Sequence, residues 1–252
     1  MAGRRRFIVP EDAATELGVD RRVAARKLAH WAEKGWLRRV RRGLYIAVPV
    51  EAERPELWAQ DPMVVASAVW SPCYFTGWTA ASHWSLTEQV FRTTVLKTTR
   101  RVRATDVRLL DADYLVVHVA EDLMTWGIES MWHEEVRLSI ADPARAVIDI
   151  LDSPILGGGI RHAAEILGAY LDAHDANRLV SYGDRLGNRA VFKRLGYLVE
   201  ALGRDEPALI AECKTRLSAG LALLDPDGPR DGARVPAWRI RANVRVAPEG
   251  PS

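Results

Sequence analysis

Residues 10–48 read PEDAATELGVDRRVAARKLAHWAEKGWLRRVRRGLYIAV, and this run sets the architecture of the N-terminal part of the chain. A short helix is predicted to begin at Pro10, because the fixed φ of proline suits a first helical turn, and to end at Gly18. Glu11 and Asp12 favour this helix, since acidic groups are stabilising at the positive end of a helix dipole. Its buried side is predicted from its apolar residues: Ala13, Ala14 and Leu17.

A second helix follows after a short turn. Asp20 fits its N-cap, the helix is expected from Arg21 to about Lys34, and Gly35 ends it. Two helices joined by a three- to four-residue turn that contains glycine are typical of a helix-turn-helix motif. The sequence therefore predicts such a motif between Pro10 and Gly35.

The two sides of the second helix differ in composition. Its apolar residues recur at helical spacing and predict an inward stripe: Val23, Ala24, Leu28 and Trp31. The opposite side alternates arginine with alanine: Arg21, Arg22, Ala25, Arg26 and Ala29. Small residues permit close approach to DNA, and an arginine fork matches guanine O6 and N7, so this side is predicted to enter a major groove. Lys27 and Lys34 flank it and are predicted to contact phosphates.

A basic hairpin is predicted directly after this helix. The segment WLRRVRRGLYIAV reads as two short strands, at 36–40 and 44–48, and Gly43 can take the positive φ that such a turn requires. A hairpin in this position is the wing of a winged helix-turn-helix. Arg41 and Arg42, at its turn, are expected to contact the sugar-phosphate backbone or the minor groove.

The charge of the chain is unevenly distributed. Residues 1–45 hold twelve Lys/Arg and five Asp/Glu, whereas the remaining 207 residues have a net charge of −5. A basic N-terminal segment on a mildly acidic remainder suggests that one part meets a polyanion. Arg4, Arg5 and Arg6 would then form a further arm for the minor groove. The alternative is a small helical cap whose basic residues serve solubility alone.

Composition limits the class of protein. With 48% hydrophobic and 27% charged residues in 252, the chain is typical of a folded soluble protein. No apolar run approaches the ~20 residues that a transmembrane helix needs, and we expect no membrane partner. Cys73 and Cys213 lie far apart and outside any C-x-x-C pair, which favours a reducing cytoplasm over a structural zinc site.

The rest of the chain is predicted to be α+β. Residues 51–62 read as a linker, and helical and aromatic segments follow up to residue 89. RTTVLKTTRRVR, VRLLDADYLVVHVA and VRLSIADP then predict an antiparallel or mixed sheet, and a helical half begins at Pro143. We expect a winged helix-turn-helix domain at 1–50, an α+β domain at 63–246 and a tail at 247–252. AWRIRANVRV reads as a closing strand that could return to the sheet.

No motif for catalysis survives inspection of the sequence. The six histidines show no H-E-x-x-H spacing, and the glycines at 157–159 lack the Lys-Ser/Thr of a phosphate-binding loop, so a turn before a helix is favoured there. Glu212 and Lys214 fit the E-x-K half of a restriction-type nuclease site, but their segment has helical periodicity where that motif needs a strand. We therefore predict no catalytic residue, no metal site, no cofactor and no enzymatic activity.

Several segments resemble AbiEi-type antitoxins. They are RRGLYIAVP, YFTGWTAASHWSLTEQ and ADPARAVIDILDSPILGGGIRHAAEIL, extended by RLGNRAVFKRLGYLVEALG and by LLDP with RIRANV near the end. The resemblance runs from Ile8 to Val246. Two features depart from the family pattern. The chain is short before its first helix, so that one helix of the usual three is expected to be abbreviated or supplied by the body of the chain, and residues 225–234 read as a flexible polar loop.

This resemblance implies more than the residues alone indicate. Members of the family pair with a nucleotidyltransferase-type toxin, repress their shared promoter through the N-terminal winged helix, often by cooperative binding to inverted repeats, and neutralise the toxin through the C-terminal domain. By this resemblance the DNA-binding residues are Arg21, Arg22, Arg26, Arg41 and Arg42. For antitoxicity it indicates only a region of charged helices: Arg185, Arg189, Lys193 and Arg194. The alternative for this region is a solvated face packed on the apolar residues beneath it.

The sequence thus predicts a cytoplasmic DNA-binding antitoxin with double-stranded DNA and a toxin as partners; direct or indirect neutralisation and self-association on DNA remain open. One alternative is a stand-alone transcriptional regulator whose C-terminal domain senses a ligand or oligomerises, which a lone regulator gene would favour. Another alternative is a nuclease that the winged helix targets to DNA. Mg²⁺-dependent DNA cleavage that is lost when Glu212 or Lys214 is changed would favour this alternative.

Overall fold

The structure is a computed structural model that describes residues 7–49 and 60–246. These residues form two compact units. The head unit contains the described residues up to Val69 together with Arg108–Ala112, and the body unit contains Trp70–Val107 and the described residues from Asp113 onward. Part of the predicted linker at 51–62 and the predicted tail at 247–252 lie outside the described residues.

The head unit contains the predicted helix-turn-helix and hairpin. Its elements in chain order are β1 (Phe7–Ile8), α1 (Pro10–Leu17), α2 (Arg21–Glu33), β2 (Leu37–Arg41), β3 (Leu44–Ala47) and most of α3 (Pro62–Trp70). The strands pair antiparallel in the order β1–β3–β2. β1 was not predicted: a strand that pairs with the hairpin, rather than an abbreviated helix, precedes α1 in the described chain.

Local sequence signals account for the ends of α1 and α2. Gly18 closes α1 in the left-handed conformation at φ 61°, and Asp20 caps α2 by accepting a 2.7 Å hydrogen bond from the Arg22 amide. Gly35 follows α2 with φ 78°, and Gly43 turns the hairpin with φ 76°. Glycine is required at such turns because a Cβ makes positive φ unfavourable.

The head unit has its own small core. Its buried apolar residues come from both helices and the hairpin: Ala13, Ala24, Leu28, Leu37 and Tyr45. Trp31 and Val19 pack against this cluster while half-buried. The prediction that Leu17 is buried is wrong. Its side chain is 41% exposed, because α1 ends there and the left-handed Gly18 follows directly.

The body unit is built on a mixed sheet, as predicted. Its strands are β4 (Cys73–Phe75), β5 (Thr94–Thr98), β6 (Asp106–Leu109), β7 (Ala112–His118), β8 (Ile128–His133) and β9 (Val136–Ala141), in the order β6–β7–β5–β4–β9–β8. β5 runs antiparallel to β4 and parallel to β7, and β4 runs parallel to β9. β8, an edge strand whose exposed residues are Glu129, Ser130 and Trp132, was not predicted, because it lacks the apolar alternation of a buried strand.

Helices supply most of the body core. They are α4 (Gly77–His83), α5 (Pro143–Asp152), α6 (Ile160–Ala173), α7 (Asn177–Leu186), α8 (Ala190–Ala201) and α9 (Pro207–Thr215). α5 is buried from Pro143 to Leu151, and apolar residues of α6 and α8 pack in the same cluster. Gly158 and Gly159 lead into α6 with φ 80° and 98°, which fits the turn predicted at 157–159.

The closing segment forms a small separate sheet. β10 (Ala222–Leu223), β11 (Ala233–Val235) and β12 (Ile240–Ala242) pair in the order β10–β12–β11. The prediction that this segment returns to the main sheet is therefore wrong. The polar stretch 225–234 begins at the buried Asp225, whose carboxylate accepts a 3.1 Å hydrogen bond from the Ile160 amide at the start of α6.

Candidate DNA-binding surface

The exposed face of α2 carries its arginines. Ala24 and Leu28 are fully buried, whereas Arg22 and Arg26 are exposed one helical turn apart on the opposite side. Residues four apart on a helix lie on the same face, so the two guanidinium groups project together. Ala25 lies between them and is only half-exposed, which leaves room for a close approach of the helix to a large ligand.

Arg21 has a partner within the head unit. Its Nε donates a hydrogen bond to the Glu11 carboxylate on α1, and both side chains are more than half exposed. This hydrogen bond lowers the pKa of Glu11 below its ordinary value. Arg21 therefore joins α1 to α2, and a bound polyanion would have to compete with Glu11 for it.

The C-terminal half of α2 has a different charge. His30 Nδ1 lies 3.8 Å from Glu33 Oε2, and both residues are exposed. A carboxylate beside a DNA groove is unfavourable because it repels phosphates. The N-terminal half, with Arg22 and Arg26, is therefore the part of α2 suited to face DNA, as in other helix-turn-helix proteins.

The hairpin presents a second group of arginines. Arg41 and Arg42 are exposed at its turn, and Arg39 is exposed on β2. A register shift occurs between Arg39 and Arg41; Val40 between them is buried, and the two flanking arginines face solvent. Arg38 is instead half-buried, and its Nη2 lies 2.9 Å from the Asp111 carboxylate.

The remaining predicted DNA-binding residues fall on the flank or outside the description. Lys27 is exposed on α2, one residue from Arg26 along the chain. The predicted minor-groove arm, Arg4, Arg5 and Arg6, lies outside the described residues. Arg39 was missed by the sequence analysis, although its place in the run WLRRVRRG, next to the predicted turn, was a usable signal.

Two of the four residues predicted for antitoxicity are exposed on the body unit. Arg185 lies 5.1 Å from the centre of the Trp126 ring, and Arg189 Nη1 forms a 2.7 Å ion pair with Asp184 Oδ1. Asp184 also pairs with Arg216 Nε at 2.8 Å. These ion pairs border an open depression at the ends of α7 and α9.

Lys193 and Arg194, the other two residues of the predicted antitoxicity region, do not belong to that exposed surface, and the solvated face given as the alternative is wrong for them. They are 2% and 4% exposed, and burial lowers the pKa of each. Arg194 donates to the main-chain carbonyls of Leu151 and Leu224 at 2.7 and 3.1 Å, and Lys193 donates to the carbonyl of Gly220. Both cations hold loops in place, because buried carbonyls need donors.

The family comparison concerns the segment that forms α1, α2 and the hairpin. Residues 2–48 match the family model described as "Transcriptional regulator, AbiEi antitoxin". The N-terminal segment matches the AbiEi family. The resemblance noted in the sequence is thereby confirmed over these residues, and the match supports a DNA-binding antitoxin at a coarse level. No curated protein matches the chain at a significant level.

A solved structure resembles most of the chain. The crystal structure of the RV2827C protein from Mycobacterium tuberculosis matches with a TM-score of 0.65 and 14% sequence identity. The match covers 94% of this chain and 86% of that chain. At this identity the likeness concerns the fold, and it confirms the predicted α+β class beyond the AbiEi segment.

Three further features concern metal binding, membrane insertion and nuclease activity. Among residues 7–49 and 60–246, no three His, Cys, Asp or Glu residues are grouped to hold a metal ion. No described helix combines the length and apolar character needed to cross a bilayer. Glu212 and Lys214 of the E-x-K motif lie on α9, where Glu212 pairs with Arg216 and Lys214 Nζ lies 3.6 Å from Glu200 Oε1.

Proposed function

We propose that this protein is a cytoplasmic antitoxin that represses its own promoter through the head unit and neutralises a nucleotidyltransferase-type toxin through the body unit. We further propose that it has no catalytic activity of its own. One observation carries the proposal: the AbiEi match falls on the residues that form the helix-turn-helix and the hairpin, and these elements expose Arg22, Arg26, Arg41 and Arg42.

On DNA, α2 would enter the major groove by its N-terminal half. Arg22 and Arg26 each carry a planar fork of donors that matches the O6 and N7 acceptors of guanine. Ala25 and Ala29 would let the helix axis come close to the base edges. These two arginines would therefore carry most of the sequence preference.

The wing would contribute affinity that does not depend on the base sequence. Arg41 and Arg42 are exposed at the tip of the hairpin and would contact phosphates or enter the minor groove. Phosphate contacts release counterions, so they strengthen binding to any sequence and weaken as salt rises. Helix-turn-helix proteins commonly bind as two copies to the two halves of an inverted repeat. An operator with inverted repeats would therefore hold two copies of this chain.

The body unit would neutralise the toxin through an exposed surface that includes Arg185 and Arg189. Both guanidinium groups are accessible to a partner, unlike Lys193 and Arg194. Arginine is enriched at protein interfaces because its planar head forms several hydrogen bonds and stacks on aromatic rings. Removing these charges tests for direct contact between antitoxin and toxin.

The proposal is tested by separating its two activities. R22A/R26A is expected to lose repression of the promoter upstream of its own gene, while still rescuing cells that express the neighbouring toxin gene. R185A/R189A is expected to keep repression and to lose rescue if the contact is direct. R230A/R234A, which removes two exposed arginines elsewhere on the body unit, is the control and should keep both.

The outcomes distinguish the parts of the proposal. Loss of rescue by R22A/R26A at unchanged protein level would contradict the division of labour between the units. Failure of the wild-type chain to rescue cells from the adjacent gene product would contradict antitoxicity itself. Repression without any such toxin gene would favour the stand-alone regulator.

A further inference from the structure

A second concentration of arginines lies in the body unit. Residues 92–108 contain five arginines and one lysine but a single acidic residue, Asp106. The chain after residue 45 has a net charge of −5, so this run is opposite in sign to its surroundings. Lys97 is buried within β5, whereas most residues of the connection between β5 and β6 are exposed.

The backbone of this connection is held at both ends. The Arg100 amide donates to Thr98 Oγ1 at 3.0 Å, and the Arg100 carbonyl lies 3.1 Å from His118 Nδ1 of β7. At the other end, the Thr105 carbonyl accepts a 2.8 Å hydrogen bond from the Val116 amide. Hydrogen bonds therefore hold both ends of residues 100–105 beside β7, and less conformational entropy is lost when a ligand binds to a segment that is already held in place.

Two arginines of this segment project freely. Arg101 and Arg103 are exposed, and Val102 between them is half-buried. The two arginines thus share the solvent side. The guanidinium group of Arg100 is already engaged, because its Nε donates to the Ser71 carbonyl at 2.5 Å.

Several arginines of the body unit have acidic partners. Arg204 pairs with Asp172, and Arg216 pairs with both Asp184 and Glu212. Within residues 7–49 and 60–246, no acidic group lies at ion-pair distance from Arg101 or Arg103. Two exposed cations, close together in the sequence and without a described counter-charge, form a surface that can accept an anion supplied from outside.

We propose that Arg101 and Arg103 form a second phosphate-contacting site, which binds the backbone of duplex DNA beside the sequence contacted by the head unit. This inference rests on the proposed DNA binding of α2 and the wing. It adds contacts that carry no base information, because arginines on a loop without a groove-filling element would contact phosphates rather than base edges.

Chain connectivity favours DNA as the occupant. Arg103 precedes Arg108 by five residues, and Arg108–Ala112 groups with the head unit. A weak anion site joined by so short a tether to a DNA-binding unit gains a high effective concentration of phosphates once the head has bound. The same tether offers no comparable gain for a separate protein partner.

The test compares R101Q/R103Q with the wild-type chain and with R230Q/R234Q, which removes the same charge from exposed positions on the same unit. The probes are the labelled duplex upstream of its own gene and an unrelated duplex of equal length, each titrated over a range of salt concentrations. For R101Q/R103Q, the slope of log affinity against log salt should shrink by about 0.9 for each phosphate that the variant no longer neutralises. Affinity should fall by a similar factor on both duplexes, and R230Q/R234Q should match the wild type.

Lengthening the duplex gives an independent readout. Starting from the shortest fragment that the wild type binds, we expect a gain in affinity when about ten base pairs, one helical turn, are added at each end. R101Q/R103Q should lose this gain, whereas R22A/R26A should keep it. Equal thermal midpoints for the glutamine variants and the wild type would exclude an effect of unfolding.

The failure of this inference can be told from failure of the proposed function. If R22A/R26A weakens operator binding but R101Q/R103Q retains the wild-type salt slope and length dependence, only the second site is wrong. If the wild-type chain binds neither duplex, the proposed function itself is wrong. Loss of toxin rescue by R101Q/R103Q with unchanged DNA binding would assign the two arginines to the toxin and overturn the inference.

Discussion

The carboxylate of Asp149 is the centre of a buried polar cluster in the body unit. Thr76 Oγ1 and Tyr74 OH donate to its Oδ2 at 2.7 and 3.0 Å, and Lys97 Nζ and Arg145 Nε donate to its Oδ1 at 2.9 Å each. Burial would raise the pKa of Asp149, but the charges of Lys97 and Arg145 and these hydrogen bonds hold it below its ordinary value. The cluster ties β4 and β5 to α5.

Asp149→Asn is therefore expected to destabilise the protein strongly. The change leaves two cations buried without a carboxylate, and breaking a buried ion pair typically costs about 3–5 kcal/mol. The destabilisation is measured as the change in the free energy of unfolding in urea. Asp172→Asn is the control: its partner is the exposed Arg204, and an exposed pair contributes at most ~1 kcal/mol. Equal effects of the two changes would contradict the structural role of the cluster.

The same cluster predicts a dependence on pH. Because the pKa of Asp149 is lowered by folding, its contribution to stability is present above the ordinary aspartate range and is lost as the pH falls through the folded-state pKa. The wild type should lose this contribution on acidification, and Asp149→Asn should lack it. Parallel stability curves of the two proteins in acid would contradict the direction of the shift.

At the surface, Glu11 limits how far Arg21 can serve DNA. Glu11→Gln is expected to raise affinity for duplex DNA a few-fold, because it frees the guanidinium group of Arg21. Glu16→Gln, also exposed on α1, makes the same change in net charge but has no described cationic partner. If binding assays at equal salt show the same gain for both variants, the Glu11–Arg21 ion pair does not compete with DNA.

Single residues differed in how well the sequence predicted them. Arg22 and Arg26 could be assigned to an exposed face because helical periodicity places them opposite Ala24 and Leu28. Lys193 and Arg194 could not be assigned correctly, because periodicity treats every charged residue as exposed. Their partners are main-chain carbonyls distant in sequence, and only the folded chain brings these together.

At the scale of elements, the packing of the Trp238 ring against helix α8 is unusually close. A Cβ at Gly196 of α8 would lie 2.1 Å from the ring of Trp238, which is fully buried and donates from Nε1 to Glu200 Oε2 at 2.5 Å. Only glycine lets the indole ring approach this helix so closely. The contact attaches the closing sheet β10–β12 to the helices of the body unit.

Gly196→Ala should thus destabilise the protein, by about 1–3 kcal/mol for an overpacked core. Helix propensity alone would favour alanine by ~1 kcal/mol, so a net loss of stability reports the clash. Gly168→Ala on α6 is the matched control, since its nearest neighbour is a flexible arginine end at 3.4 Å. Urea unfolding that finds Gly196→Ala as stable as Gly168→Ala would contradict the packing against Trp238.

Elements with strong local signals were predicted well from sequence. α1 and α2 begin and end at residues set by Pro10, Gly18, Asp20 and Gly35, and these signals act within a few residues. β1 and β8 were missed because their stability comes from partner strands elsewhere in the chain. The closing strand was predicted, but its sheet was not, because pairing partners are set by tertiary packing rather than by propensity.

For the whole molecule, the distribution of charge connects sequence to function. The head unit gathers exposed arginines on α2 and the wing, and the body unit pairs several of its surface arginines with acids. The charge asymmetry was visible in the sequence, whereas only the structure shows which individual arginines are paired with acids. Binding of a polyanion by the head is the claim on which the other proposals depend.

The most direct test of this claim is the affinity of the full chain for labelled duplexes at physiological salt, measured by fluorescence anisotropy. We predict that the wild type prefers the duplex upstream of its own gene to an unrelated one, and that R22A/R26A loses about 1–3 kcal/mol for each base-reading arginine and with it this preference. R41A/R42A should weaken binding to both duplexes by a similar factor. Binding of R22A/R26A to the upstream duplex with wild-type affinity would contradict the assignment of α2 as the element that contacts the bases.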